Sequence, residues 1–159
     1  MYIGYMGDIV FIVSSHYFVT PTNYVRSGES RWAQHDLILR KPVSQFSGPG
    51  LEKLSFDIIL KSDLGASPDS ILSKLRKMRD TGAVFPLIIG GRPVSQNYWR
   101  LDSLNENEQF YDPTGNLIQA KASVQLTEYD DSNYTEENSV INKYGTIFNA
   151  ASTLLGGAF

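Results

Sequence analysis

Apolar and polar positions alternate with a period of two along most of this chain, a pattern that predicts a mainly β protein. The clearest strand is Leu54 to Leu60, where Leu54, Phe56, Ile58 and Leu60 share one face. A second alternation puts Ala120, Ala122, Val124 and Leu126 on one face and Gln119, Lys121, Ser123, Gln125 and Thr127 on the other. One dry face and one wet face indicate an antiparallel sheet. Shorter strand signals cover Ile9 to Val13, Tyr17 to Val25, Arg31 to Leu39 and Tyr98 to Leu104. Pro21, inside the second of these, marks an edge or a bulge. Val84 to Ile89 reads as one buried strand beside Pro86, and Gly90-Gly91-Arg92-Pro93 as a turn. Asp112-Pro113-Thr114-Gly115 has Pro at i+1 and Gly at i+3, a hairpin signal between Phe110 and Asn116.

One interior helix is expected. Ser67 suits the N-cap, Pro68 the first helical position and Asp69 the positive end of the dipole. Ile71, Leu72, Leu75 and Met78 form an apolar stripe, with Lys74, Arg76, Lys77 and Arg79 around it. Gly82 can close the helix.

Between the third strand signal and Leu54 lies Arg40-Lys41-Pro42-Val43-Ser44-Gln45-Phe46-Ser47-Gly48-Pro49-Gly50. Its Gly and Pro content predicts a shaped loop, serving either as a ligand cradle or as a contact surface. A phosphate cradle needs free N–H groups leading into a helix, whereas Pro49 removes one and the segment leads into a strand. The contact reading is therefore favoured.

Glu128 to Glu137 concentrates five acids with Ser and Asn and reads as a linker. From Ser139 to Phe159, apolar residues recur every three or four positions, including Ile147, Phe148, Leu154 and Leu155. That spacing predicts an amphipathic helix in need of a docking surface. The expected domains are therefore a β body over 1–130 and a linker with a helical extension over 131–159. Strands with one interior helix make the body an antiparallel β-barrel or sandwich of the mainly β α+β class.

Composition narrows the function. The 159 residues are 42% hydrophobic and carry a formal net charge of -3. That gives no bulk drive toward nucleic acid. No window approaches a membrane span, and the first residues do not read as a signal peptide. There is no cysteine, so disulfides, thiolate chemistry and Cys-bound zinc are excluded. His16 and His35 have no partner at metal-ligand spacing. The acidic cluster lacks an EF-hand pattern, and neither a nucleophile elbow nor a paired-carboxylate signature is present. No catalytic, cofactor or metal residue is expected.

The order Trp32, Arg40-x-Pro42, Gln45-Phe46-x-Gly48-Pro49-Gly50 and then an alternating strand resembles the GpU-type tail protein family of contractile-tailed phages. The similarity continues through Leu75-Arg76-x-Met78, Gly82, Phe85-Pro86-Leu87, Gly90, Trp99, Pro113-x-Gly115 and Leu126-x-Glu128-Tyr129. It covers roughly residues 5 to 130. Gly90 to Gln96 is longer than the family's usual turn, and the tail from Asp130 to Phe159 extends past the matching region.

The resemblance implies a non-enzymatic part of a phage or bacteriocin tail particle, assembled in the host bacterial cytoplasm. It implies a tail-tube-like barrel flanked by a helix and a homo-hexameric ring at the tube–baseplate junction, templating tube assembly. Implied partners are the tail tube protein, the baseplate hub protein and a peptidoglycan-binding-type tail protein, with the tape measure as a further candidate. Expected contact residues are Arg40, Pro42, Gln45, Phe46, Gly48, Pro49 and Gly50 in the loop and Tyr98 and Trp99 as aromatic anchors. Ile147, Phe148, Leu154 and Leu155 are expected in the extension. A tail terminator at the head-proximal end is the alternative. An OB-like nucleic-acid module is a remoter one.

Overall fold

The computed structural model describes residues 2–13, 18–64 and 67–130. His16 and everything from Asp131, including the expected C-terminal helix and its Ile147, Phe148, Leu154 and Leu155, lie outside them.

Twelve strands, one α-helix and a short 3-10 turn make up the described chain. The strands are β1 (Tyr2–Met6), β2 (Ile9–Val13), β3 (Phe18–Val19), β4 (Pro21–Ser27), β5 (Ser30–Leu37) and β6 (Arg40–Pro49). They continue as β7 (Lys53–Lys61), β8 (Val84–Phe85), β9 (Leu87–Ile89), β10 (Arg92–Pro93), β11 (Tyr98–Tyr111) and β12 (Leu117–Tyr129). The helix is α1 (Pro68–Asp80).

Two five-stranded antiparallel sheets form, in the orders β10-β9-β1-β2-β3 and β4-β7-β12-β11-β8, with β5-β6 as a separate two-stranded sheet. The sheets are not closed into a barrel, so of the two expected architectures the mainly β sandwich is the one present. Pro21 opens β4, an edge strand of the second sheet, where its missing N–H costs no ladder bond.

The two alternating runs pair directly, with Leu54 opposite Leu126, Phe56 opposite Val124, Ile58 opposite Ala122 and Leu60 opposite Ala120. All eight side chains are buried and join Met6, Ile9 and Phe11 of the first sheet in one core. Phe11 meets Phe56 edge to face at 6.2 Å. Helix α1 covers the same core with Ile71, Leu72, Leu75 and Met78, each contributing about 1.5–3 kcal/mol by burial. Ser67 occupies the N-cap position without a side-chain cap bond. At the other end Gly82, at φ 63°, closes a Schellman turn. Its N–H donates to the Arg79 carbonyl and that of Ala83 to the Met78 carbonyl.

Val84 to Ile89 is not one strand. It divides at Pro86: β8 pairs with β11 in the second sheet and β9 with β1 in the first. Pro86 lacks the N–H that a continuous ladder would need, so the chain changes sheets there. The strand expected to end at Leu104 runs to Tyr111, through the polar stretch Asn105 to Gln109.

Candidate assembly surface

The segment expected to be a loop is a strand. β6 (Arg40–Pro49) pairs antiparallel with β5, placing Trp32 opposite Phe46, Ala33 opposite Gln45 and His35 opposite Val43. Both strands of a two-stranded hairpin are edges, so Pro42 and Pro49 fit without a lost ladder bond. Ser47 is bulged out between Gly48, which faces Arg31, and Phe46. Gly48 has φ 114°, which an L side chain rarely adopts.

The base of the hairpin is fastened. The Gly50 N–H donates to the Glu29 carbonyl at 2.7 Å. A Cβ on Gly50 would lie 2.7 Å from that same oxygen, so the close approach requires glycine. Arg26 pairs with Glu52 and also donates to the Val94 carbonyl at 3.1 Å.

Away from its base the hairpin stands clear of the body. Every residue from Asp36 to Ser47 is exposed. Phe46 is 55% exposed and packs on Trp32, ring centroids 5.2 Å apart, rather than on the core. The His35 Nε2 lies 3.3 Å from the Gln45 side-chain oxygen. Arg40, Lys41 and Pro42 project into solvent beside the tip. The tip itself is a two-residue turn, Ile38-Leu39, whose side chains are 92% and 100% exposed. Leu39 has φ 57°, a left-handed conformation that costs a non-glycine residue about 1–2 kcal/mol. Neither the exposure nor the strain contributes to folding of the single chain.

The aromatic pair Tyr98 and Trp99 divides. Tyr98 is partly exposed at the start of β11, but Trp99 is fully buried opposite Phe85. Burial removes Trp99 from the contact residues and makes it part of the core. Its indole N–H has no acceptor among the described residues.

Glu128, expected in the acidic linker, belongs to β12 and is buried. Its carboxylate accepts from the Ser95 hydroxyl at 2.5 Å, the Asn97 amide at 3.1 Å and the Glu52 N–H at 3.2 Å. It thereby ties the longer Gly90 to Gln96 region to the hairpin base. On the wet face of the second sheet, Asp57 accepts from Ser123 at 2.6 Å and from Asn23 at 2.7 Å. Those bonds, led by that of Ser123, hold its carboxyl below the usual carboxylate range.

The sequence model of the Phage P2 GpU family matches residues 7–131. The chain belongs to that family. GpU proteins are structural proteins associated with phage tails. No curated protein matches the chain. The GpU match takes in the whole hairpin, helix α1 and the β11–β12 pair. What sequence reasoning missed in this GpU chain is the turn Ile38-Leu39, absorbed there into a strand. The available signal was an apolar triplet meeting a basic pair without Gly, Asn or Asp to explain a turn.

Proposed function

We propose that this chain forms a closed ring of copies, six by the family resemblance, at the tube–baseplate junction of a contractile phage tail or phage-tail-like particle. There it templates tube assembly against the tail tube and hub proteins. The observation that carries this reading is the projecting β5–β6 hairpin, apolar at its tip and basic beside it. Subunits that match neighbours on several sides need such fixed projections, and aromatic and Arg residues dominate interface energetics. Arg40, Pro42, Gln45, Phe46, Gly48, Pro49 and Gly50 serve as or support the contact, with Tyr98 near the hairpin base. The body over 1–130 is the ring-forming unit. The extension over 131–159, through Ile147, Phe148, Leu154 and Leu155, docks on a partner or the next subunit.

The test is double replacement of Arg40 and Phe46 by Ala, scored by incorporation into particles. Normal incorporation with a full ring would reject the hairpin as the contact. Deleting residues 132–159 tests the extension separately: the body folds and incorporation is lost. Location of the chain at the head-proximal end of the tube would replace the junction reading with that of a terminator.

A further inference from the structure

Two hairpin tips leave opposite ends of the second sheet. β5–β6 departs from the end where Lys53 faces Thr127, and β11–β12 turns at the end where Lys61 faces Gln119. The nine residues of β7 separate these ends by about 30 Å.

The two tips are opposite in charge. Residues 30–49 carry three cations (Arg31, Arg40, Lys41) against one carboxylate, Asp36. Residues 104–119 carry three carboxylates (Glu106, Glu108, Asp112) and no cation. Over residues 1–130, leaving out the first hairpin, there are 10 Lys and Arg against 13 Asp and Glu. The hairpin is thus a basic projection on an acidic body.

Both tips also expose apolar surface. Phe110, Tyr111 and Ile118 are exposed on the acidic tip, as Leu37, Ile38 and Leu39 are on the basic one. Among the described residues neither Arg40 nor Lys41 has an ion-pair partner. Arg76 engages Glu106 through two bonds of 2.7 and 2.5 Å. Glu108, 3.9 Å from Lys121, keeps a side chain 61% exposed.

We infer that the basic apolar tip of one copy docks head to tail on the acidic aromatic tip of a second copy. Like charges oppose tip-to-same-tip pairing, which excludes a two-fold contact through either tip alone. Because the complementary tips sit at opposite ends of one sheet, each copy has both a donor and an acceptor end. This inference rests on the multi-copy reading above and adds the acceptor surface to it.

Carbodiimide treatment of purified particles, followed by peptide mass spectrometry, tests the contact. The expected product joins Lys41 to Glu108 or Asp112. The separation of the tips within one copy makes that product intermolecular. In parallel, R40E with K41E, and E108K alone, each retain the wild-type melting temperature but lower incorporation about tenfold or more. Combining the three restores it. Full incorporation of E108K, failure of the combined variant to recover, or Lys41 joined solely to other surfaces would overturn the inference. Copy number by quantitative mass spectrometry separates this from the ring reading. A ring's complement without the Lys41 product and without charge-swap rescue overturns the tip contact alone. One copy per particle overturns both.

Discussion

Glu52 and Glu128 bond to each other reciprocally: the Glu128 N–H donates to the Glu52 carbonyl at 2.9 Å, and the Glu52 N–H donates to the Glu128 carboxylate at 3.2 Å. The pair extends the β7–β12 ladder to the root of the β5–β6 hairpin. It fixes the direction in which that hairpin leaves the body.

Replacing Glu128 by Ala should therefore cost stability. Ser95, Asn97 and the Glu52 N–H lose their acceptor in a half-buried setting, which amounts to about 2–3 kcal/mol. At this chain length the melting temperature should fall by about 5–10 °C. Glu128→Gln, which keeps one acceptor oxygen, should lose less. Thermal unfolding of the isolated protein checks both.

At the hairpin tip the expected sign is reversed. Leu39→Gly relieves the left-handed position, and Ile38→Asn together with it removes exposed apolar surface. The isolated chain should melt at the same temperature or a few degrees higher, while incorporation into particles falls. A loss of both stability and incorporation would mean that the tip supports its own body.

Two glycines should separate space from strain. A Cβ on Gly4 would lie 1.8 Å from the Ile88 carbonyl oxygen, inside the β1–β9 pairing. Gly4→Ala should destabilise by about 3 kcal/mol or more, because backbone must move. Gly82 has open space around it and φ 63°, so Gly82→Ala should cost about 1–2 kcal/mol from strain alone. Denaturant titration of the two variants measures the difference.

The β11–β12 turn should carry a pH signature. The Asp112 carboxylate accepts from the Thr114 hydroxyl at 2.7 Å and from the N–H groups of Thr114 and Asn116 at 2.9 and 2.8 Å. These bonds, that of the Thr114 hydroxyl foremost, bring its pKa from 3.8 down to about 2. The folded value lies below the unfolded one, so the stabilisation is complete above about pH 4 and is lost as pH falls through about 2. The melting-temperature gap between wild type and Asp112→Asn should be constant near neutrality and shrink over that acid window. A gap unchanged down to pH 2 would contradict this assignment.

Legibility in the sequence followed the periodicity. Leu54 to Leu60, Ala120 to Leu126 and the Ile71 to Met78 stripe occur where the alternations place them, because one buried face imposes a period. Phe85, Leu87 and Ile88 are buried on either side of Pro86, so nothing in their hydropathy marks the change of sheet. Arg40 to Pro49 looks like a loop by its Gly and Pro content. An isolated hairpin tolerates both residues, since each strand has a free edge. Glu128 was grouped with the acids that follow it, but its partners Ser95 and Asn97 are more than thirty residues away in sequence. Trp99 shows that an aromatic residue does not announce whether it serves a core or a contact. The exposed tips became recognisable only when the strand ends were located in space.

A ring of copies joined through the β5–β6 hairpin has a direct structural consequence in the particle. Electron cryomicroscopy of the purified particle tests it most directly. The expected density is a closed ring of this chain at the tube–baseplate junction, with Ile38 and Leu39 of each copy buried against the β11–β12 tip of another. A single copy, or a ring whose hairpins all point into solvent, would contradict it.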